Sequence, residues 1–195
     1  MNILLCGVGG QGIILASQVI GASAIREGKH VVVSEIHGMA QRGGSVHTFV
    51  RIDEGDAPIP REGSVDIAVG FERIEILRYL NYIGENTTVL FNEAKIPPIS
   101  VSLSKNPYLS VEDVKRKLFQ ITDSVVSIDA EKIATEIGSK LVINSVLLGA
   151  FCSLQHLIPK ETLEEVLLSK VPEKAREINR IAFQRGEGAS PLPLR

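Results

Sequence analysis

An apolar run that ends in glycine, ILLCGVGGQG over residues 3–12, constrains this chain more than any other stretch. Residues 2–6 are a short apolar run and read as a buried strand. Gly7, Gly9, Gly10 and Gly12 follow, and then Ile13, Ala16, Val19, Ile20 and Ala24 recur on one face at helical spacing. A strand that passes through a glycine turn straight into a helix points to an α/β fold. Glycine stands at such a corner because the backbone turns sharply there, or because a ligand or another backbone approaches where a Cβ would clash.

The rest of the chain keeps the alternation. Residues 30–35 read as a second strand, almost continuously apolar, as expected for a sheet covered on both faces. Residues 46–52 are rich in β-formers and are expected to be an antiparallel strand, before a turn-rich stretch over 53–63. Strands are expected at 65–70, 87–91, 101–103 and 125–128. A helix is expected over 72–83, and another opens at Ser110, whose partner Asp113 three residues on makes an approximate capping box. After residue 128 the pattern is helical: 130–137, 143–157, 160–168, and 173–184 ending before Gly186. The expected architecture is therefore a three-layer α/β/α domain, Rossmann-like, with a mostly parallel but mixed sheet and a helical C-terminal part. It forms a single domain over 1–186 with a loosely held tail over 187–195.

Composition excludes several functions. The 195 residues are 44% hydrophobic and 23% charged with a net charge of −2, which describes a globular chain without the basic footprint of a nucleic-acid binder. Apolar runs fall short of the roughly 20 residues a membrane-spanning helix needs, and the N-terminus has no basic n-region, so a cytoplasmic protein is expected. Cys6 and Cys152 are the only cysteines. A [4Fe–4S] cluster takes four thiolates and a structural zinc site four closely spaced ligands, so no metal site is expected on this chain.

Residues 7–12 match G-x-G-x-x-G in the strand–turn–helix setting where backbone N–H groups and a helix N-terminus hold phosphate. Glu35, near the end of the second strand, is roughly placed for the ribose-binding acid of a dinucleotide site. Gln11 is unusual in that turn. The second glycine loop, SEIHGMAQRGGSV over 34–46, is cationic and amide-rich. In it Arg42 can pair bidentately with a carboxylate or phosphate, and Gly43, Gly44 and Ser45 add donors. His37 reads as a hydrogen-bonding residue rather than a catalyst. Asn144, inside an apolar helical stretch, is expected to bond to backbone or a neighbouring loop. The candidate ligand-facing set is thus Gly7, Gly9, Gly10, Gln11, Gly12, Arg42, Gly43, Gly44 and Ser45, with no convincing catalytic machinery.

GVGGQG, EIHGMAQRGGSV, the N-x-x-x-LGA segment at 144–150 and the N-x-x-AF-x-x-G ending at 179–186 together resemble the gamma-type domain of 2-oxoacid:ferredoxin oxidoreductases. The uninterrupted HGMAQRGGSVHT loop looks most like the small beta subunit of the indolepyruvate enzymes. The resemblance implies a heteromeric enzyme in which a large alpha subunit carries thiamine diphosphate, magnesium and [4Fe–4S] clusters. Coenzyme A is the implied co-substrate and ferredoxin the electron acceptor. The residues alone leave a second reading open, a stand-alone α/β dinucleotide-binding module.

Overall fold

The computed structural model describes residues 1–37, 44–95 and 108–189. Strand β1 (Asn2–Val8) is completely buried, because it lies inside a six-stranded sheet of order β2-β3-β1-β4-β5-β6. Its side chains alternate between two cores, Ile3 and Leu5 on one face, Leu4 and Cys6 on the other. Helix α1 (Ile13–Arg26) leads to β2 (Val31–His37), which returns through β3 (Ser45–Ile52). Strand β3 is antiparallel to both β1 and β2, whereas β4 (Val65–Gly70), β5 (Ile83–Asn92) and β6 (Val125–Ile128) run parallel to β1. The expected mixed sheet with one antiparallel strand is what forms.

The two faces are covered unequally. Helices α1, α3 (Ala130–Ile137), α4 (Ile143–Leu154), α5 (Lys160–Ser169) and α6 (Arg176–Ala189) pack on the Ile3/Leu5 face. Helix α2 (Val111–Leu118) and a 3₁₀ segment, Glu75–Tyr82, cover the other. At the start of α2 the Ser110 hydroxyl accepts from Asp113 N while the Asp113 carboxylate accepts from Ser110 N, so the capping box is complete. Ser110→Ala is expected to cost about 1 kcal/mol and to lower Tm by about 2–4 °C in a thermal scan.

Several expectations change in three dimensions. The second strand is not covered on both faces: β3 inserts between β1 and β2 and pushes β2 to the sheet edge, leaving Val33 41% and Ile36 37% exposed. The helix expected at 72–83 is the shorter 3₁₀ segment, with non-helical φ/ψ at Tyr79, and β5 begins directly after it at Ile83 rather than at residue 87. The last helix does not stop before Gly186 but runs to Ala189. The reason is contact: a Cβ on Gly186 would stand 1.9 Å from Val146 O, and one on Gly149 1.9 Å from Phe183 O. Glycine there brings the backbones of α4 and α6 together instead of ending a helix. The strand expected at 101–103 lies outside the described residues.

Candidate functional site at the glycine corner

The chain leaves β1 through α1 toward β2 on one side, and resumes at β4 on the other side of β1. Such a reversal opens a crevice beyond the carboxyl ends of the strands, where open α/β sheets bind ligands. A cavity of about 440 Å³ lies there, lined by Gly10, Gln11 and Gly12 with Phe71, Asn92, Lys95, Lys140 and Asn144 among others.

Each glycine of the corner has a separate role. Gly7 is packed internally, since a Cβ would come 2.6 Å from Gln11 Oε1 and 2.8 Å from Phe71 Cβ. Gly12 has φ +76° and faces the Asn144 side chain. Gly10, at φ +101°, has nothing within 4 Å of where its Cβ would be, so here the backbone is open. Gly9 N donates to Gly44 O at 2.8 Å and ties the first glycine loop to the base of the second.

Gln11 explains its presence in the turn by hydrogen bonds. Its Oε1 accepts from Val8 N at 2.6 Å and its Nε2 donates to Phe71 O at 3.1 Å, joining the ends of β1 and β4 beneath the cavity. Asn92 supports the same wall: Nδ2 donates to Phe71 O, and Oδ1 accepts from Ala94 N and Ala130 N. Helix α1 has no side-chain cap and no acid in its first turn, so its N–H groups and positive dipole end are not neutralised. Lys140 pairs with Glu131 at 2.6 Å, and Lys95 Nζ lies 5.4 Å from the Tyr108 ring centroid with the Arg73 guanidinium 4.8 Å from it. Lys140 and Glu131 both line the cavity and offset each other, so Lys95 and the free N–H groups of α1 carry the positive charge at the opening.

Not every candidate residue reaches this cavity. Ser45 does not line it: its hydroxyl is 2.9 Å from Tyr79 OH, which is 3.0 Å from His47 Nδ1. Burial lowers the His47 pKa, which favours the neutral ring. Arg42 and Gly43 lie outside the described residues. Sequence reasoning left Phe71, Asn92, Lys95 and Lys140 out of the site. The carboxyl ends of β4 and β5 were the signal that locates the first three.

Cys6 and Cys152 are both buried and free. Burial raises both thiols, Cys152 to about 11, so neither is a ready thiolate. No three His, Cys, Asp or Glu among the described residues form a metal-binding group. Two cysteines, one on each face of the sheet, are fewer than the four thiolates a [4Fe–4S] cluster takes. Among the described residues no helix is long and apolar enough to cross a membrane.

A family model described as pyruvate ferredoxin/flavodoxin oxidoreductase matches residues 2–189. The chain belongs to this family. Indolepyruvate oxidoreductase subunit IorB of Methanothermobacter thermautotrophicus is 39% identical over 190 residues, covering 97% of each chain. The IorB subunit of Pyrococcus horikoshii is 39% identical over 193 residues, covering 97% of this chain and 95% of that one. The gamma subunit of a keto/oxoacid ferredoxin oxidoreductase from Geobacter sulfurreducens superposes with a TM-score of 0.69 at 27% identity, covering 96% of both chains. As a member of the pyruvate ferredoxin/flavodoxin oxidoreductase family the chain is a subunit of an oxidoreductase complex, and the resemblance read from its glycine loops holds along its length.

Proposed function

We propose that this chain is the small subunit of an indolepyruvate-type 2-oxoacid:ferredoxin oxidoreductase, and that its glycine corner holds the phosphate-bearing part of coenzyme A. In the reaction an arylpyruvate loses carbon dioxide, its acyl group is transferred to the coenzyme A thiol, and the electron pair released passes singly to ferredoxin. Thiamine diphosphate, magnesium and [4Fe–4S] clusters supply the decarboxylation and electron transfer. In this reading they are carried by the larger alpha subunit, which accords with a chain whose two cysteines cannot supply the four thiolates of a [4Fe–4S] cluster. This chain's part is to bind and orient the coenzyme, as protein does wherever a cofactor carries the difficult chemistry. A cytoplasmic location suits an enzyme that exchanges electrons with a soluble carrier.

The observation that carries this reading is the open backbone at Gly10, which meets an uncapped helix N-terminus and Lys95 on one 440 Å³ cavity. Phosphate is the group such a corner favours. The dinucleotide reading is less well supported. Glu35 is exposed on β2 at the register of Thr48, and all of β3 separates it from β1, so it stands one strand spacing, about 5 Å, farther from β1 than a ribose-binding acid on the adjacent strand.

The test uses the enzyme assembled with its larger subunit. Gly10→Val places a branched side chain in the cavity at a positive φ, and KM for coenzyme A is expected to rise about tenfold or more. An unchanged KM for coenzyme A would move the coenzyme elsewhere. Purification through a tag on this chain is expected to bring down a larger subunit with stoichiometric iron and thiamine diphosphate, and recovery of the chain alone from cells expressing both genes would refute the assembly.

A further inference from the structure

Gly12 fits its shape to a residue more than a hundred positions away. A Cβ there would stand 1.9 Å from Asn144 Nδ2 and 3.0 Å from Asn144 Cγ, so the carboxamide lies directly on the Gly12 backbone. Asn144 comes from the first turn of α4. The orientation of that turn is set by its neighbour Ser145, fully buried, whose hydroxyl donates to Asn179 Oδ1 on α6 at 2.6 Å. Gly149 and Gly186 lock α4 and α6 together one turn further on. The Asn144 side chain is therefore held against the glycine corner by a rigid pair of helices.

Held there, it does not make, among the described residues, the bond to backbone or a neighbouring loop expected from the sequence. The Asn144 carboxamide has no hydrogen bond with any described residue, although it lines the cavity beside Gly10 and Gln11. Gln11 and Asn92, the other carboxamides of the wall, are both bonded to backbone. Asn144 is half-buried, so its carboxamide stays reachable from the cavity. A carboxamide offers donor and acceptor together, and here both are available to whatever fills the cavity.

We infer that Asn144 is a ligand-binding residue, its N–H donating to a phosphate oxygen of a coenzyme lying across Gly10, and that position 12 is glycine in order to seat it. The inference rests on the reading that this cavity takes coenzyme A. Gly12 is then a positioning residue acting through Asn144.

KM for coenzyme A and for the 2-oxoacid, with kcat, would be measured on the assembled enzyme for Asn144→Ala, Asn144→Asp, Gly12→Ala and the Gly12→Ala/Asn144→Ala pair. A hydrogen bond to a charged phosphate implies that Asn144→Ala raises KM for coenzyme A roughly 10- to 100-fold. Asn144→Asp, nearly isosteric, places a carboxylate against phosphate and raises it further. Gly12→Ala displaces the carboxamide and matches Asn144→Ala, and the double variant is no worse than either single one. Asn144→Asp serves as the test if the alanine variants fail to assemble. Unchanged KM for coenzyme A in Asn144→Asp overturns the inference. Additive effects in the double variant overturn the seating role of Gly12. A rise confined to the 2-oxoacid KM overturns the coenzyme reading of the cavity itself, while a wild-type response to Asn144→Asp in an enzyme whose Gly10→Val variant has lost coenzyme affinity overturns only the role of Asn144.

Discussion

Gly149→Ala is expected to destabilise the chain by about 3 kcal/mol or more and to lower its Tm by about 6–12 °C. The direction is the informative part, because replacing a helical glycine by alanine ordinarily stabilises a helix by about 1 kcal/mol. At Gly149 the added carbon would stand 1.9 Å from Phe183 O, 2.8 Å from Phe183 C and 2.9 Å from Glu187 N. These are main-chain atoms of α6, and Phe183 itself is completely buried, so neither helix can move aside without opening the core. Gly188, on the same α6 helix, has nothing within 4 Å of its Cβ direction. Gly188→Ala should be neutral or slightly stabilising. Thermal unfolding of both variants beside wild type decides the matter, and equal behaviour of the two would show that the close approach of α4 and α6 does not limit stability.

Glu72→Gln is expected to stabilise the chain at pH 8 by roughly 3 kcal/mol at most, with the gain vanishing toward pH 4. Glu72 is fully buried, and burial raises its carboxyl from the usual 4.5 to about 7 against the opposing pull of the Ile74 and Glu75 N–H bonds. Its Oε2 accepts both of those bonds at 2.9 and 3.1 Å, while its Oε1 and the neighbouring Glu75 Oε2 have no hydrogen-bond partner among the described residues. Because the folded carboxyl titrates above the unfolded one, the folded state keeps a proton that the unfolded chain has released. The stability this gives is complete below pH 4.5 and is lost as pH rises through about 7. Glutamine retains the acceptor and never ionises. Denaturant titrations at pH 5 and pH 8 measure the effect, and a variant no more stable than wild type at pH 8 would show that the ionised Glu72 is accommodated without penalty.

Local chemistry made part of this fold legible. Ile3 to Cys6 announce a strand buried on both faces, and Ser110 with Asp113 announces a helix start, because each signal is complete within a few neighbouring residues. Gly186 misleads for the converse reason. A missing Cβ looks the same in sequence whether it frees a turn or admits another backbone, and only the position of Val146 distinguishes them. The apolar run at 30–35 reads as interior, yet the insertion of β3 beside β1 is a pairing choice that no single strand records. The site divides in the same way. Gly10, Gln11 and Gly12 lie together in sequence and together in the cavity, whereas the rest of its wall, including Phe71, Asn92, Lys95, Lys140 and Asn144, is gathered from distant segments. Those residues share a place only after β4, β5, α4 and the turn that precedes α4 have docked.

The open edge at β2 sets a limit on how this subunit can be produced. Seven residues of main chain, Val31 to His37, run along the rim of the sheet without a proline or a bulge to interrupt them. Any extended segment, including β2 of another copy, can add to such a rim by backbone hydrogen bonds alone. Encounters between copies grow with the square of concentration, whereas capture by a larger subunit grows with the product of the two. Overproduction of this chain by itself is therefore expected to favour strand addition between copies more than co-synthesis with a larger subunit does.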